Sequence, residues 1–557
     1  MPLTSPYNFV PINTRVFCPS WGNLVSMDIP FEDGEDGYIE VTFKNVSPLF
    51  TRNGARLDGD KEVESSYVVD KEGHKHYFIP GTTIKGVLRS TLEIMAFGKI
   101  TEKEHFTNRW FGFRDVAQKT AESRTYVQKA RKGVPGWLCK KSGSYFFTPC
   151  VGTLEKISTW KLQKLYSSYR PDKSIWKTNC SVLSPKGMPA YPEYSDESGK
   201  KYRIVCSGKM QSKKHEMLFP FRTSDHTIFL SEDTINAFYT VYENTPGFGQ
   251  FKNAVEKGEE IPVFYLNDSM PVIGLSKMFR IPCRKSLKDM VRHDQQLETK
   301  QLDLCEVLFG TVHGVAGKEA FKGRIQVGHA FASQSVSSER LIKVKGVLGQ
   351  PKASYFPLYV KQDKNPYKTY DTGTSISGRK LYRIHKGAST TQLPQDNQND
   401  NMANHFYALP PGITFVLRIN VHNLKKVEIG ALLSALNLNA TKDAYHNIGM
   451  AKSFGYGKIQ IEDIKLYQLS CTVNEYEQAF EKQMDAFVSK QIKSGLRWCE
   501  TEQMTQLINI LREHEDAVVR LMPLGNYKTE GTYGYYKEKR NFRGAEIERL
   551  TEPGGKS

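Results

Sequence analysis

Two short stretches carry residue types able to hold a chain of phosphates. PGTTIKGVLR (Pro80 to Arg89) follows the strand-like HYFI and combines a proline-glycine turn, two hydroxyls and two cations. Thr82 or Thr83 would cap a helix there, and the free amides of a helix start carry a partial positive charge that suits an anion. Lys85 and Arg89 are four apart, so they share a helix face and would extend the site along a polyanion. The second stretch, NIGMAKSFGYGK, sets Gly449, Lys452, Ser453, Gly455, Gly457 and Lys458 in a loop before a strand, with Phe454 and Tyr456 interleaved. Glycines let backbone amides approach a phosphate closely, which makes such a loop an anion nest. Neither stretch is a P-loop, because Val87 stands where that motif needs lysine. Read by itself, the first stretch is more simply a plain helix cap with two solvated cations; the second shifts the balance toward phosphate binding.

The surrounding elements bring the two stretches into one fold. YIEVTFK alternates, with Ile39, Val41 and Phe43 on one face of a strand, and Ile84, Val87, Leu88, Leu92 and Met95 keep helical spacing after the first stretch. The mirror lies at ITFVLRINV, with Ile413, Phe415, Leu417, Ile419 and Val421 on one face, followed by the helical IGALLSALN, the glycine loop and the strand-like IQIEDIKLY. Two strand-helix-strand halves predict an α+β protein with a ferredoxin-like (RRM-like) core. The chain between the halves is far too long for a connection, so it must be inserted structure. The expected division is 36–100 and 262–468 for the two parts of the core, 101–261 for the insertion and 469–557 for a C-terminal helical extension. In that extension Asn474 with Glu477 resembles a helix cap, Tyr476, Phe480, Met484 and Phe487 form an apolar stripe, and Thr501 is the candidate cap of a second helix. Such a pair is a packing or subunit-docking element. Residues 386–404 are polar and read as a mobile surface loop.

The 557 residues include 77 Lys plus Arg against 60 Asp plus Glu, a net charge of +17, and residues 116–214 alone hold 20 of the cations against 6 acids. That concentration is the footprint of a phosphate polymer or an anionic surface. Trp137, Trp160, Trp176, Tyr169, Tyr194 and Tyr202 are interleaved with those cations, as single-stranded nucleic acid requires for its phosphates and unstacked bases. The competing reading is a lysine-rich domain with an ordinary aromatic core. No run of apolar residues is long enough for a membrane span and the N-terminus lacks a secretory pattern, so a cytoplasmic protein with no membrane partner is expected. Nine cysteines without a C-x-x-C pair read as free thiols.

IPGTTIKGVLRS, LFG at Leu308 to Gly310 with KGRIQVGHA, SGRKLYRIHK, and IGMAKSFGYGKIQI resemble, in order and spacing, the RAMP superfamily of CRISPR-associated proteins. More narrowly they are similar to the long backbone-type RAMP subunits associated with type III CRISPR systems. The resemblance covers roughly 36–100 and 262–468 and leaves the basic insertion unexplained. It implies an RNA-binding subunit of an antiviral ribonucleoprotein, with CRISPR RNA and other effector subunits as partners and target RNA as a further candidate. Carried over by position, Thr82, Thr83, Lys85, Arg89 and the loop from Gly449 to Lys458 would grip guide phosphates. Arg324 in KGRIQV is either an RNA contact or a strand cation.

Backbone subunits of this kind often cut target RNA with an aspartate in a stretch like D-S-P-V-V, where this chain has SSYVV with Ser65 in the aspartate position. Asp58 and Asp60, with Glu62, Glu64 and Asp70, are the substitutes an endoribonuclease would use, through a metal or directly on the 2′-hydroxyl. A solvated acidic loop is the simpler reading. His446, His74 and His76 are the candidates for a histidine-driven cut that processes CRISPR RNA. The expectation is therefore a scaffold without cofactors, a divalent metal entering only under the nuclease alternative.

Overall fold

The computed structural model describes residues 7–26, 28–53, 63–100, 109–114, 121–166, 169, 191–206, 213–245, 248–291, 301–312, 320–346, 353, 359–361, 368–387 and 404–514. Asp58, Asp60, Glu62, Trp176 and most of the polar loop 386–404 lie outside these residues. The protein is mixed α+β. Its central sheet is built from β1 (Glu35–Asn45), β2 (Tyr67–Val69), β3 (Lys75–Ile79), β4 (Ile325–Val327), β5 (Ala330–Ala332), β6 (Thr414–Leu424), β7 (His446–Asn447) and β8 (Lys458–Tyr467). The spatial order is β7-β8-β1-β6-β5-β3-β2, with β4 also on β6, and every pairing is antiparallel.

The period-2 patterns explain this sheet directly. Ile39, Val41 and Phe43 of β1 and Phe415, Leu417 and Ile419 of β6 are buried together, and Phe43 stacks on Phe415 with centroids 5.6 Å apart. Over that face lie α1 (Gly81–Met95) and α2 (Lys426–Asn437), whose Ile84, Leu88, Leu92, Ile429, Leu432 and Leu436 complete one hydrophobic core.

The C-terminal helices α3 (Val473–Gln491) and α4 (Glu502–Leu511) belong to the same core: Tyr476, Phe480, Met484, Met504 and Leu507 are all in it. The buried Trp498 between them donates its indole N–H to the Met95 carbonyl at 2.7 Å. These helices therefore pack on the central unit. The cap of α3 is Thr472 with Glu475, two residues before the expected Asn474, and Glu477 accepts from Asn437 of α2 instead. Thr501 does precede α4, but its hydroxyl turns back to the Trp498 carbonyl at 2.7 Å rather than capping.

The basic segment builds two sheets of its own. One orders Ile228–Leu230, Ser144–Pro149, Val134–Lys141, Ile261–Leu266 and Val272–Gly274; the other orders Glu193–Ser195, Lys201–Val205, His215–Pro220 and Glu155–Ser158. The expected boundary at 262 does not follow this pairing, because Ile261–Leu266 pairs with Val134–Lys141, so its hydrogen bonds tie it to the basic segment. Many of the interleaved aromatics are core here: Trp137, Tyr169 and Tyr202 are buried in one cluster, so for these the ordinary-core reading applies. The eight described cysteines are free thiols.

Candidate nucleic-acid interface

The helix mouth is built differently from its expected form. Helix α1 starts at Gly81 with Pro80 in the cap position, and no side chain caps it. Proline fixes φ there, and Gly81 is needed because a Cβ would overlap the carbonyl oxygens of Val327 and Gly328. The Gly81 amide donates to His329 Nδ1 at 3.0 Å, and the Thr83 and Ile84 amides turn to the Pro80 carbonyl at 2.9 and 3.3 Å. Of the first four amides only that of Thr82 makes no hydrogen bond among the described residues. Thr82 is exposed, and Thr83 and Lys85 are half-buried. Lys85 makes no ion pair among the described residues; burial, then the neighbouring Arg89, pushes its ammonium below the usual lysine range. Arg89 itself is engaged, with Nε 3.0 Å from Glu93, whose other oxygen takes Arg379 at 2.7 Å.

In the glycine loop, Gly449, Gly455 and Gly457 all have φ between 81° and 86°, the left-handed region that favours glycine. A Cβ on Gly449 would meet the Phe50 carbonyl and one on Gly457 the Ile448 carbonyl, so these two glycines are required by the chain's own packing. The amides of Met450, Phe454, Gly455, Gly457 and Lys458 are taken inside the fold. Those of Gly449, Ala451, Lys452 and Ser453 make no hydrogen bond among the described residues. Lys452 is half-buried and forms no ion pair among the described residues; desolvation, then the charge of Lys380, pulls its ammonium down to about 8.

Two of the expected cations are spent on structure. Lys458 is buried against Glu513 and the His385 carbonyl. Arg324 is wholly buried, paired with Glu428, and donates to the carbonyls of Val307 at 3.2 Å and Asn423 at 2.5 Å. The structural side of its two readings is the one observed, because a guanidinium buried among a carboxylate and two carbonyls is out of reach of RNA.

One strip of backbone joins the two stretches. The loop amides of Met450 and Gly457 donate to the carbonyls of Phe50 and Pro48, Ser66 donates to Thr51, and Phe78 of β3 donates to Ser66, at 2.7 to 3.0 Å. The Lys85 ammonium lies 6.0 Å from the Phe309 ring, and the charge felt by Lys452 is that of Lys380. His329 and Lys380 stand inside KGRIQVGHA and SGRKLYRIHK, yet nothing in their local spacing marks them as site residues; the exposed His329 lies between β4 and β5, and only the fold shows that it meets the helix mouth.

Among the described nuclease candidates, Ser65, Glu64 and His446 have partners of their own, whereas Asp70, His74 and His76 meet at one turn. Ser65 is fully buried, its hydroxyl 3.1 Å from the Tyr407 carbonyl. His446 is buried and bonded to the Leu436 carbonyl at 2.8 Å. Glu64 pairs with Lys75 at 2.6 Å. At the β2–β3 turn Asp70 accepts from the amides of Glu72 and His74 and lies 2.7 Å from His76 Nε2, a hydrogen bond that is the main reason its carboxyl sits well below the usual range. Asp70, Glu72 and His74 present donor atoms within 4.8 Å of one another, enough for a metal ion. On the basic segment Trp160 is 63% exposed, with the Lys164 ammonium 3.7 Å from its ring centre.

Residues 42–171 match the family model of the RAMP superfamily. The match starts within β1, takes in the helix mouth and continues into the basic segment. No curated protein matches the chain. Among solved structures the chain is similar to one titled "Type IV-B CRISPR Complex" at 9% identity, covering 78% of this chain and 92% of that one, with a TM-score of 0.24. It is also similar to Csc2 of Thermofilum pendens at 10% identity, covering 96% and 93%, with a TM-score of 0.23. With TM-scores this low, the two likenesses support no inference about this chain. No helix among the described residues is long and apolar enough to cross a membrane.

Proposed function

We propose that the chain is a CRISPR RNA-binding backbone subunit of a cytoplasmic antiviral ribonucleoprotein of the type III kind, gripping guide phosphates and leaving sequence to base pairing. On this reading the order β8-β1-β6-β5 is a ferredoxin-like core whose two parts are separated in the chain by the basic insertion. The observation that carries the proposal is Lys452: a desolvated ammonium with no carboxylate partner among the described residues, beside amides that also have none. Burying an unpaired charge is costly, and a phosphate seated there would supply its counter-charge. Thr82 and Lys85 supply the second grip, and neighbouring effector subunits are the remaining partners. The test is RNA affinity of Lys85→Ala plus Lys452→Ala as a function of salt, against a wild type that binds guide RNA without cutting it. Wild-type affinity and salt dependence in that variant would defeat the proposal.

A metal-assisted endoribonuclease acting on target RNA is the second reading, favoured by the Asp70, Glu72 and His74 constellation. It requires Mg²⁺- or Mn²⁺-dependent cleavage of target RNA that is lost in Asp70→Asn with guide binding retained. Cleavage unaffected by that change and by a chelator would remove it.

A further inference from the structure

The helices cover one face of the central sheet, and the other face carries rings. Phe331 of β5 is 41% exposed and Val416, its partner on β6, 37%. Phe78 of β3 sits across from Phe331 with ring centroids 5.5 Å apart, and the His329 ring lies 4.7 Å from Phe78. Two residues along β6 from Val416, about 7 Å, the exposed Arg418 lays its guanidinium 3.7 Å from the Tyr38 ring centre. Arg418 Nε donates to Asn420 at 2.9 Å, and no carboxylate pairs with it among the described residues. The His329 Nδ1 that accepts the Gly81 amide fixes the imidazole beside the start of α1, so the helix mouth and the ring cluster are joined by one 3.0 Å hydrogen bond.

We propose that Phe331, Phe78 and His329 form a stacking platform for unpaired RNA bases, flanked by Arg418 on one side and by the helix mouth with its Thr82 amide on the other. The platform rests on the RNA-binding reading above and adds to it a contact with bases that is blind to their identity. Exposed apolar rings on a sheet face are unfavourable in water, and every base offers a π-face that relieves this. RNA is favoured over a protein partner because Arg418, the cation next along β6 from the rings, lacks a carboxylate partner among the described residues and would meet a phosphate. Phe331 is the informative position, since its exposure means that removing the ring leaves the core intact.

The experiment measures binding by the full chain of a labelled 12-nucleotide single-stranded RNA and of an abasic RNA with the same backbone, by fluorescence anisotropy across a salt series. Wild type should bind the base-bearing RNA more tightly. Phe331→Ala should lose roughly 5- to 150-fold on that RNA, with no change on the abasic strand and no change in salt slope. Phe331→Leu keeps the apolar bulk without a π-face and should behave as the alanine variant, which covers the case in which alanine disturbs folding. A variant that binds the base-bearing RNA as wild type does, including one that instead fails to assemble with protein subunits, overturns the platform. So does a wild type that binds both RNAs equally, a result that leaves phosphate recognition standing. A wild type that binds neither RNA overturns the RNA-binding reading and the platform together.

Discussion

Replacing Arg324 with methionine separates a structural cation from an RNA contact. The side chain is wholly buried, pairs with an equally buried Glu428 and fills two carbonyls, those of Val307 and Asn423. Removing it leaves the Glu428 carboxylate with the Trp21 indole at 3.1 Å and the Lys425 amide at 2.8 Å, but with no counter-charge. Stranding one partner of a buried ion pair costs about 3–5 kcal/mol, and each orphaned carbonyl adds ~1 kcal/mol. A total of roughly 5–7 kcal/mol is comparable to the whole stability of a typical domain, so the central unit of Arg324→Met should be largely unfolded or melt at much lower denaturant. Urea unfolding followed by tryptophan fluorescence reads this, because Trp21 touches Glu428 and Trp498 lies in the same core as α1. Glu428→Gln keeps an acceptor for one of Trp21 and the Lys425 amide while deleting the charge, so the double variant should cost less than the two singles summed, by at least about 1 kcal/mol. The reasoning is refuted if Arg324→Met unfolds within about 1 kcal/mol of wild type while its RNA affinity and salt slope fall.

Three further perturbations probe the same geometry. The variant Lys85→Ala plus Lys452→Ala should lower the salt slope of RNA binding by about 1.4, two contacts at ~0.7 each for a single strand, with its unfolding midpoint unchanged. Gly457→Ala places a Cβ against the Ile448 carbonyl at φ 82°, and urea unfolding should show a loss of more than about 2 kcal/mol. Burial, then Asp303, lifts the Glu306 carboxyl to about 7, above an unfolded value of about 4.3, so the folded state holds the extra proton and this contribution to stability is complete below about pH 4 and lost as pH rises through 7. Urea midpoints should accordingly fall between pH 5.5 and 7.5, and fall less in Glu306→Gln; equal slopes would show that the carboxyl does not titrate there.

The local part of this protein was legible because two periods are written plainly into it. The alternation of Ile39, Val41 and Phe43 and of Phe415, Leu417 and Ile419 commits those strands to one buried face, and the spacing of Ile84, Leu88 and Leu92 commits α1 to cover it. Ring count in the basic segment was readable, but whether a ring is core or surface was not: Trp137 and Trp160 have the same side chain, yet one is buried and the other 63% exposed.

The amino-acid sequence by itself determined the strands, the helices, the charge and the need for glycine at turns, since these depend on neighbours within a few residues. Only the tertiary structure decided which cations are available, because Arg324 and Lys458 are consumed by Glu428 and Glu513, partners 104 and 55 residues away. It also decided that the amide at the start of α1 meets His329, 248 residues distant, and that Phe78 and Phe331 share one open face. The physical reason is that desolvation, ion pairing and ring stacking are set by distance in space, which chain spacing leaves undetermined.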